Sequence, residues 1–398
     1  MSTRTPEWAA GLTVSDSELV QAIDELPLVD HHVHGAMTED LQRSRLEELL
    51  TESDRPIPSW MTVFDSQVGF AVRRWCAPIL ELPPFASAED YMARRDELGG
   101  VEVTKRLLEA SGIGCLVLET GFRGDEILDP IGMQSLTGIP TWEVVRIESV
   151  MEEVAREQPA PSAFMEIVKE RLQARLRYAV GLKSIIAYRF GFDFDPLRPD
   201  PGEVARAVQR WFSDRPATEN FRVSDPVLLR AGMWAAADLG VPLQLHTGYG
   251  DPDLDLHRCD PLLLTNWLRM VEGSGVEVLL LHCYPFQRNA GYLSQVFPHV
   301  YLDVGLGVNY TGSRSTEVIA ESIELAPFAK VLFSSDAWGP AELHYLGALW
   351  WRRGMFRLLQ SWVQDGEWCS QDAIRVARMM GTENATRVYR LPTGGVAQ

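Results

Sequence analysis

Histidine and aspartate side chains stand at the ends of several short apolar runs in this sequence. Five such residues end four of these runs: His32, His34, His246, His282 and Asp336. Imidazole nitrogens and carboxylate oxygens are natural ligands of zinc and related divalent ions. Because side chains alternate along a strand, His32 and His34 point the same way and can hold one ion, whereas His31 is expected to face the helix layer. The ordered set, more than any single histidine, predicts a metal site.

Lys183 lies inside another apolar run and is harder to interpret. A buried lysine is costly unless it is paired or neutralised, so we expect it to face the same open end as the histidines. It can form an ion pair with Glu119 or Glu148, bind substrate, or be modified to a carbamate that bridges two metal ions. The sequence leaves these alternatives open.

Four further residues are candidates for substrate binding. Arg189 follows Lys183 by six residues and can clamp a carboxylate through two parallel hydrogen bonds. Tyr249 opens a turn-rich acidic loop after His246, which can take an amino group or simply be solvated. Tyr284 and Trp338 follow the last two ligand positions and are expected to wall the pocket, with ordinary packing as the alternative.

The elements that must position these residues are eight apolar runs separated by helical stretches. The runs are Leu26–His34, Gly114–Thr120, Val144–Glu148, Gly181–Tyr188, Pro242–Thr247, Val276–His282, Val300–Val304 and Lys330–Asp336. Near-continuous apolar runs are typical of parallel strands buried on both faces. The amphipathic segments Glu166–Arg177, Pro226–Leu239 and Asp260–Val271 are long enough for crossover helices. This alternation predicts an α/β fold, a (β/α)₈ TIM barrel forming one domain over residues 1–398, with the ligands at its catalytic face.

A long connection, about residues 35–99, follows the first strand and is rich in proline, tryptophan and charge. We expect it to fold into helices over the barrel mouth as a lid. A surface excursion or a contact between subunits is the alternative, so a homo-oligomer stays open.

Composition excludes several classes of partner. Lysine and arginine number 37 against 55 aspartates and glutamates, which gives a net charge of −18. That balance argues against nucleic acid or an anionic membrane as the main partner. It says nothing positive about a substrate; the small-molecule substrate that we expect follows from the candidate site. The sequence shows neither an apolar run long enough for a transmembrane helix nor a signal peptide. Five dispersed cysteines without a CxxC motif predict a reduced, cytoplasmic protein.

The motifs resemble a known family. The order Asp30-x-His32-x-His34, Lys183, His246, His282, Asp336 resembles the amidohydrolase superfamily, and the tail Gly381–Tyr389 resembles the ending of its amidohydrolase-2 branch. The segments Gly181–Arg189 and Leu245–Asp251 resemble the amidohydrolase-like domain of fungal and plant glutamine synthetase-like proteins. No synthetase domain follows, so we expect a stand-alone version.

The resemblance implies a metal-dependent hydrolase on a TIM barrel. By analogy, the direct ligands would be His32, His34, His246 and Asp336. His282 would bind a second ion or hydrogen-bond the attacking water, and Lys183 would bridge two ions if it is carbamylated. The number of ions, one or two, therefore stays open. Zinc is the default, and Mn²⁺ or Fe²⁺ would fit the same residues.

The first functional hypothesis is a metal-dependent amidohydrolase that cleaves a non-peptide C–N bond, in an N-acyl or γ-glutamyl amino compound. Asp336 would move the proton of the attacking water to the leaving nitrogen, and His282 would stabilise the oxyanion if it is not a ligand. The alternative is a metal-dependent decarboxylase of an unsaturated or aromatic acid. A third reading is a metal-holding binding protein without catalysis.

Overall fold

Seven parallel strands form one sheet in the computed structural model, which describes residues 6–214 and 221–392. The strands are neighbours in chain order. Their bounds are β1 Leu28–Val33, β2 Ile113–Glu119, β3 Thr141–Arg146, β4 Ala179–Ser184, β5 Leu243–Thr247, β6 Val278–His282 and β7 Val300–Leu302. Each overlaps one of the predicted apolar runs.

The eighth predicted run, residues 330–336, is extended chain and not a strand within the described residues. It nevertheless closes the barrel, because the Leu332 amide donates to β7 (3.0 Å to the Leu302 carbonyl) and the Asp336 amide donates to β1 (3.1 Å to the His32 carbonyl). Between them, the Ser335 amide donates to the Asp30 carboxylate at 2.9 Å instead of to a strand carbonyl. This side-chain acceptor interrupts the ladder, and the fold is an α/β TIM barrel.

Helices surround the sheet and fill the connections. Their bounds within the described residues are α1 Ser17–Asp24, α2 Arg43–Leu49, α3 Gln67–Ala71, α4 Ala77–Ile79, α5 Ala88–Leu98, α6 Gly100–Ala110, α7 Pro130–Thr137, α8 Ile147–Arg156, α9 Phe164–Arg175, α10 Ile186–Arg189, α11 Pro201–Asp214, α12 Pro226–Leu239, α13 Thr265–Val271, α14 Gln287–Val296, α15 Gly305–Thr311, α16 Ser315–Ser322, α17 Ala341–Gln364, α18 Ser370–Arg378 and α19 Asn384–Val388. Across the described part of the chain, none is long and apolar enough to cross a membrane.

The predicted helices are present with small shifts. Helix α12 has the predicted bounds because Asp225 caps its first turn, Pro226 opens it and Gly240 ends it in the left-handed conformation. The segment predicted at residues 166–177 is α9, two residues earlier. The segment predicted at residues 260–271 begins as a 3₁₀ turn, Pro261–Leu264, before α13.

The connection after β1 contains α2 to α5 and is anchored to α17. Arg95 on α5 forms a buried ion pair with Glu342, which also accepts a hydrogen bond from the Tyr91 hydroxyl at 2.7 Å. Both charged side chains are almost fully buried. The connection therefore rests on the first turn of the helix that follows Asp336.

Alternate strand residues pack on opposite sides of the sheet. Leu280 belongs to the large core between sheet and helices, whereas Leu281 belongs to a smaller cluster inside the barrel. Val388 and Tyr389, at the C-terminal end, pack into that inner cluster. The tail of the chain thus fills the barrel interior beside the polar strand ends.

Candidate metal centre and substrate cavity

A cavity of about 230 Å³ lies where the strands end. Its lining includes all six residues predicted to hold metal: His32, His34, Lys183, His246, His282 and Asp336. Glu52, from the connection after β1, also reaches this lining. The connection thus contributes to the wall of the cavity, together with polar residues from the ends of β1, β3, β4, β5 and β6.

The end of β1 is irregular, and this irregularity directs its histidines. The pairing of β1 with β2 shifts register between Asp30 and Val33, so β1 carries one extra residue there. Such a bulge re-aims side chains. His31 consequently lies inside the barrel, with Nε2 2.9 Å from Asp303 Oδ2 and Nδ1 3.0 Å from the Tyr389 hydroxyl. The expectation that His31 faces the helix layer, which assumed strict alternation, is wrong.

Gln244 fixes the orientation of His32. Its side-chain amide donates to the His31 carbonyl and to the Tyr389 hydroxyl, both at 2.8 Å, so its Oε1 must accept. The His32 Nδ1 lies 2.8 Å from that oxygen and is therefore the protonated nitrogen. The lone pair of His32 Nε2 then points into the cavity, as a metal ligand requires.

Asp336 lies at the centre of the polar cluster. Its Oδ1 is 3.0 Å from His32 Nε2 and 3.7 Å from His34 Nε2, whereas its Oδ2 is 3.4 Å from His282 Nδ1. Lys183 Nζ is 3.2 Å from His32 Nε2. One carboxylate oxygen therefore faces the β1 histidines and the other faces β6.

Two of these residues adopt strained backbone conformations. His282 and Asp336 have φ angles of 67° and 49°, in the left-handed region that non-glycine residues avoid. The Asp303 carboxylate accepts the His282 amide at 2.9 Å and the Gly305 amide at 2.8 Å, which fixes the turn after β6. Such conformations cost on the order of 1–3 kcal/mol each and cluster at functional sites.

Lys183 does not form the ion pair that was its simplest alternative. Within the described residues, Glu119 is paired with Arg146, and Glu148 accepts from the Ser184 hydroxyl at 2.6 Å. Burial lowers the pKa of Lys183 to about 8, although Asp336 and Glu119 oppose the shift. Lys183 therefore belongs to the histidine–aspartate cluster and not to a neighbouring ion pair.

Glu119 supports His34 from behind. His34 Nδ1 lies 3.3 Å from the Glu119 carbonyl oxygen and 3.4 Å from its carboxylate. Arg146 holds that carboxylate with two hydrogen bonds, at 3.1 and 2.6 Å. Burial raises the pKa of Glu119, but the charges of Arg146, His34 and Lys183 and the hydrogen bonds from Arg146 together outweigh it and leave the pKa below its usual value. An anionic Glu119 orients His34 so that Nε2 faces the cavity.

The donor set fits a divalent cation. His246 Nε2 and both ring nitrogens of His282 are buried without a hydrogen-bond partner among the described residues. Ligand atoms of His32, His282 and Asp336 lie within 4.8 Å of one another. Burial lowers the pKa of these histidines well below the usual value, which leaves neutral imidazoles with free lone pairs. Burial also raises the pKa of Asp336, more than Lys183 lowers it, so the carboxylate lacks a sufficient counter-charge.

Two of the four predicted substrate residues line the cavity. Arg189 is paired with Glu152 through Nη2 at 3.1 Å, and its side chain is only 8% exposed. Its Nε and Nη1 have no partner among the described residues, so they can donate to a ligand. Trp338 lines the cavity with Phe122, in an edge-to-face contact with 5.2 Å between ring centroids.

Tyr249 and Tyr284 are not part of the cavity lining that the structure describes. Their rings contact each other, with 6.3 Å between centroids, and Tyr249 also packs against Tyr310. The chain turns at Gly248, where φ is 77°, and the Tyr249 amide donates to the Tyr284 carbonyl. The absence of both tyrosines from the described lining corrects the expectation that they wall the pocket.

Two residues of the site, Gln244 and Glu52, have no part in the sequence-based prediction; Glu119 enters it only as a possible ion-pair partner of Lys183, and Arg146 only as a weaker candidate for substrate recognition. Gln244 precedes His246 by two positions and so shares its face of β5, a signal that could have identified it. Glu119 and Arg146 end neighbouring strands, which is a weaker signal of the same kind. Glu52 has no local signal, because only the path of the connection brings it to the cavity.

Both the sequence and the structure are similar to those of known proteins. The sequence matches the amidohydrolase family over residues 144–391. It is 26% identical over 413 aligned residues to protein fluG of Emericella nidulans, covering 94% of this chain and 47% of that protein. The chain therefore spans about half the length of this curated relative.

Solved structures share the fold. A protein from Lactobacillus casei assigned as a metal-dependent hydrolase superposes with a TM-score of 0.79 at 28% identity, covering 93% of this chain and 96% of that one. A uronate isomerase from Bacillus halodurans has a TM-score of 0.63 at 14% identity, covering 95% of this chain and 98% of its own, and shows the fold alone. The predicted TIM barrel and the predicted family are both confirmed, and the chain belongs to the amidohydrolases of the amidohydrolase-2 branch.

Proposed function

We propose that this protein is a metal-dependent hydrolase that cleaves a non-peptide amide C–N bond of a small molecule, an N-acyl or γ-glutamyl amino compound. The observation that carries the proposal is the place of Asp336, a buried carboxylate between His32 and His282 with Lys183 alongside. The cavity in front of it, about 230 Å³, has room for a small molecule only.

Four residues would hold the metal, His32, His34, His246 and Asp336, with His282 and Lys183 close enough to take part. A bound divalent ion supplies a water of lowered pKa and polarises the carbonyl of the amide. Zinc suits a site dominated by imidazole, and Mn²⁺ or Fe²⁺ would fit the same donors. Whether Lys183 is carbamylated decides between one and two ions.

The protein's own residues would manage the proton. Asp336 Oδ2, on the His282 side, is free of the β1 histidines and can accept a proton and return it to the leaving nitrogen. His282, whose buried ring nitrogens have no hydrogen-bond partner among the described residues, can stabilise negative charge on the substrate oxygen if it is not a ligand. Gln244 and Glu119 hold the two β1 rings in the required orientation.

Decarboxylation of a small carboxylic acid is the alternative reaction. The free nitrogens of Arg189 support it, since they can hold a carboxylate near the cluster. The contact of Lys183 with His32 favours hydrolysis, because a bridging lysine serves a nucleophilic water. Binding without catalysis would not require the strained Asp336 and His282 to be placed in contact.

The setting of the protein is also part of the proposal. All five cysteines lie in the described part of the chain and are free thiols, which fits a reducing, cytoplasmic compartment. The net charge of −18 disfavours nucleic acid and anionic membranes as partners. The connection after β1 leaves a homo-oligomer open.

One assay separates the reactions. Protein reloaded with Zn²⁺, Mn²⁺ or Fe²⁺ is offered N-acyl and γ-glutamyl amines and, separately, aromatic and unsaturated carboxylic acids. Free amine with no carbon dioxide is the expected product. Asp336→Asn should lose that activity, whereas Asp96→Asn, an exposed aspartate on α5, should keep it. Carbon dioxide release from the acids, without amide cleavage, would overturn the proposal in favour of the lyase.

A further inference from the structure

Among the described residues, the wall of the cavity carries two carboxyl groups without a cationic partner, Glu52 and Asp251, and one arginine, Arg189, with two buried nitrogens that lack a hydrogen-bond partner. We propose that its ligand is bipolar: an amide that bears a carboxylate, bound by Arg189, and a protonated amine, bound between Glu52 and Asp251. This inference names the substrate class of the proposed function and rests on it. The inference depends on which charged groups in the cavity wall lack an ion-pair or hydrogen-bond partner among the described residues.

The negative side is formed by two loops that meet over the mouth. Glu52 comes from the connection after β1 and Asp251 from the loop after β5, and both line the cavity. Neither has an arginine, lysine or histidine nitrogen within ion-pair distance among the described residues. Within the described ranges, the Asp251 carboxylate accepts a hydrogen bond only from the Asp253 amide, at 2.9 Å. Burial and the charge of Asp251 raise the pKa of Glu52 to about 7. Two carboxyl groups that line one cavity and have no cationic partner among the described residues can bind a cation, here the protonated amine of a ligand.

The positive side depends on Arg189. The two other arginines in the lining are already neutralised, Arg146 by Glu119 and Arg222 by Asp253 at 3.4 Å. Arg189 keeps two buried nitrogens, Nε and Nη1, without a hydrogen-bond partner in the part of the chain that the structure describes, although its Nη2 pairs with Glu152. Unpaired buried donors on a charged side chain are costly, and a ligand carboxylate at Nη1 would satisfy part of that need.

The two sides act on one small molecule because they line the same cavity as the metal-ligand cluster. The volume, about 230 Å³, admits a compact amino-acid-sized amide. An amide with only one charge would leave either the free nitrogens of Arg189 or the acidic pair desolvated and without a partner. The cavity should therefore select against each singly charged analogue.

Calorimetric binding to the metal-loaded protein tests this with three matched probes. L-glutamine carries the amide and both charges, N-acetyl-L-glutamine lacks the ammonium, and 4-aminobutanamide lacks the carboxylate. Each analogue should bind at least about tenfold more weakly than L-glutamine, the effect of losing one buried charge-assisted hydrogen bond. Ammonia release is measured in parallel, so that binding and turnover are read separately.

Variants assign each half of the preference. Glu52→Gln should remove the preference for L-glutamine over its N-acetyl form. Asp54→Asn, two residues along and half exposed in a pair with Arg55, should leave it unchanged. Arg189→Gln should remove the preference over 4-aminobutanamide. Equal binding of the three probes, no binding of any, or Glu52→Gln behaving like Asp54→Asn would overturn the inference. A kept preference with no amide cleavage of any kind would overturn only the proposed function.

Discussion

Gln244 should affect metal affinity although it does not contact His32 Nε2, the nitrogen that faces the cavity. Its Oε1 is the only described partner of His32 Nδ1, at 2.8 Å, and its Nε2 donates to the His31 carbonyl and the Tyr389 hydroxyl. Gln244→Leu removes all three hydrogen bonds while nearly conserving volume. The His32 ring then loses the acceptor that selects its tautomer.

The magnitude follows from these contacts. The Tyr389 hydroxyl keeps His31 Nδ1 at 3.0 Å, so the main losses are at His32 Nδ1 and the His31 carbonyl. Two buried groups left unpaired cost about 1–3 kcal/mol each in the free energy of unfolding. Loss of such an orienting partner lowers metal affinity about 10- to 100-fold, or about 1.4–2.8 kcal/mol.

The assay is competition for Zn²⁺ against a chromophoric chelator, alongside thermal unfolding of the metal-free protein. Gln360 on α17 offers a matched control outside the cavity lining. Its side-chain Nε2 donates to the Thr13 carbonyl at 2.9 Å, and its Oε1 accepts from the Ser15 amide at 2.8 Å. Gln360→Leu should lower stability without changing metal affinity, and Gln244→Glu should restore the acceptor and the affinity. Wild-type metal affinity in Gln244→Leu would refute the reasoning.

Three further perturbations have definite outcomes. Asp336→Asn should lower kcat about 10²- to 10⁴-fold, the usual contribution of a proton-transfer group, and a pH–rate profile that keeps its acidic limb in the variant would contradict this role, because a general base loses activity as it is protonated. Arg95→Met should lower the free energy of unfolding by about 3–5 kcal/mol, because it leaves Glu342 charged and buried; chemical denaturation should show partial recovery in Arg95→Met/Glu342→Leu, and no recovery would contradict the cause. Gly250→Ala would place a Cβ 2.0 Å from the Tyr188 hydroxyl, so activity should fall while the melting temperature changes little, and unchanged kcat/KM would show that the loop yields freely.

Much of the barrel could be predicted because its information is local. Apolar runs of strand length identify seven strands, and the polar residue at the end of each run marks the open face. The eighth run has the same composition but forms no ladder, because the Asp30 carboxylate accepts the Ser335 amide. That competition depends on a contact across 305 positions of sequence, which a run of apolar residues does not reveal.

In the candidate site, the residues at strand ends could be predicted from the sequence, whereas the groups placed by turns and loops could not. His32, His34, His246, His282, Asp336 and Lys183 all reach the cavity because strand ends converge. Tyr249 does not, since the Gly248 turn redirects the chain, and His31 faces inward because of the β1 bulge. Glu52 was beyond prediction, because the path of its loop is set by tertiary contacts such as that of Arg95 with Glu342. Local patterns find ligands on strands and miss the groups that loops deliver.

The most direct test of the account is the metal content of the purified protein, measured by elemental analysis without added metal. We predict at least one equivalent of a divalent ion per chain, lost in His32→Ala and kept in His299→Ala, a histidine outside the cavity. Close to two equivalents that fall in Lys183→Ala would assign Lys183 as a bridge between two ions. No metal in the wild-type protein even after supplementation, or full retention in His32→Ala, would contradict the central claim.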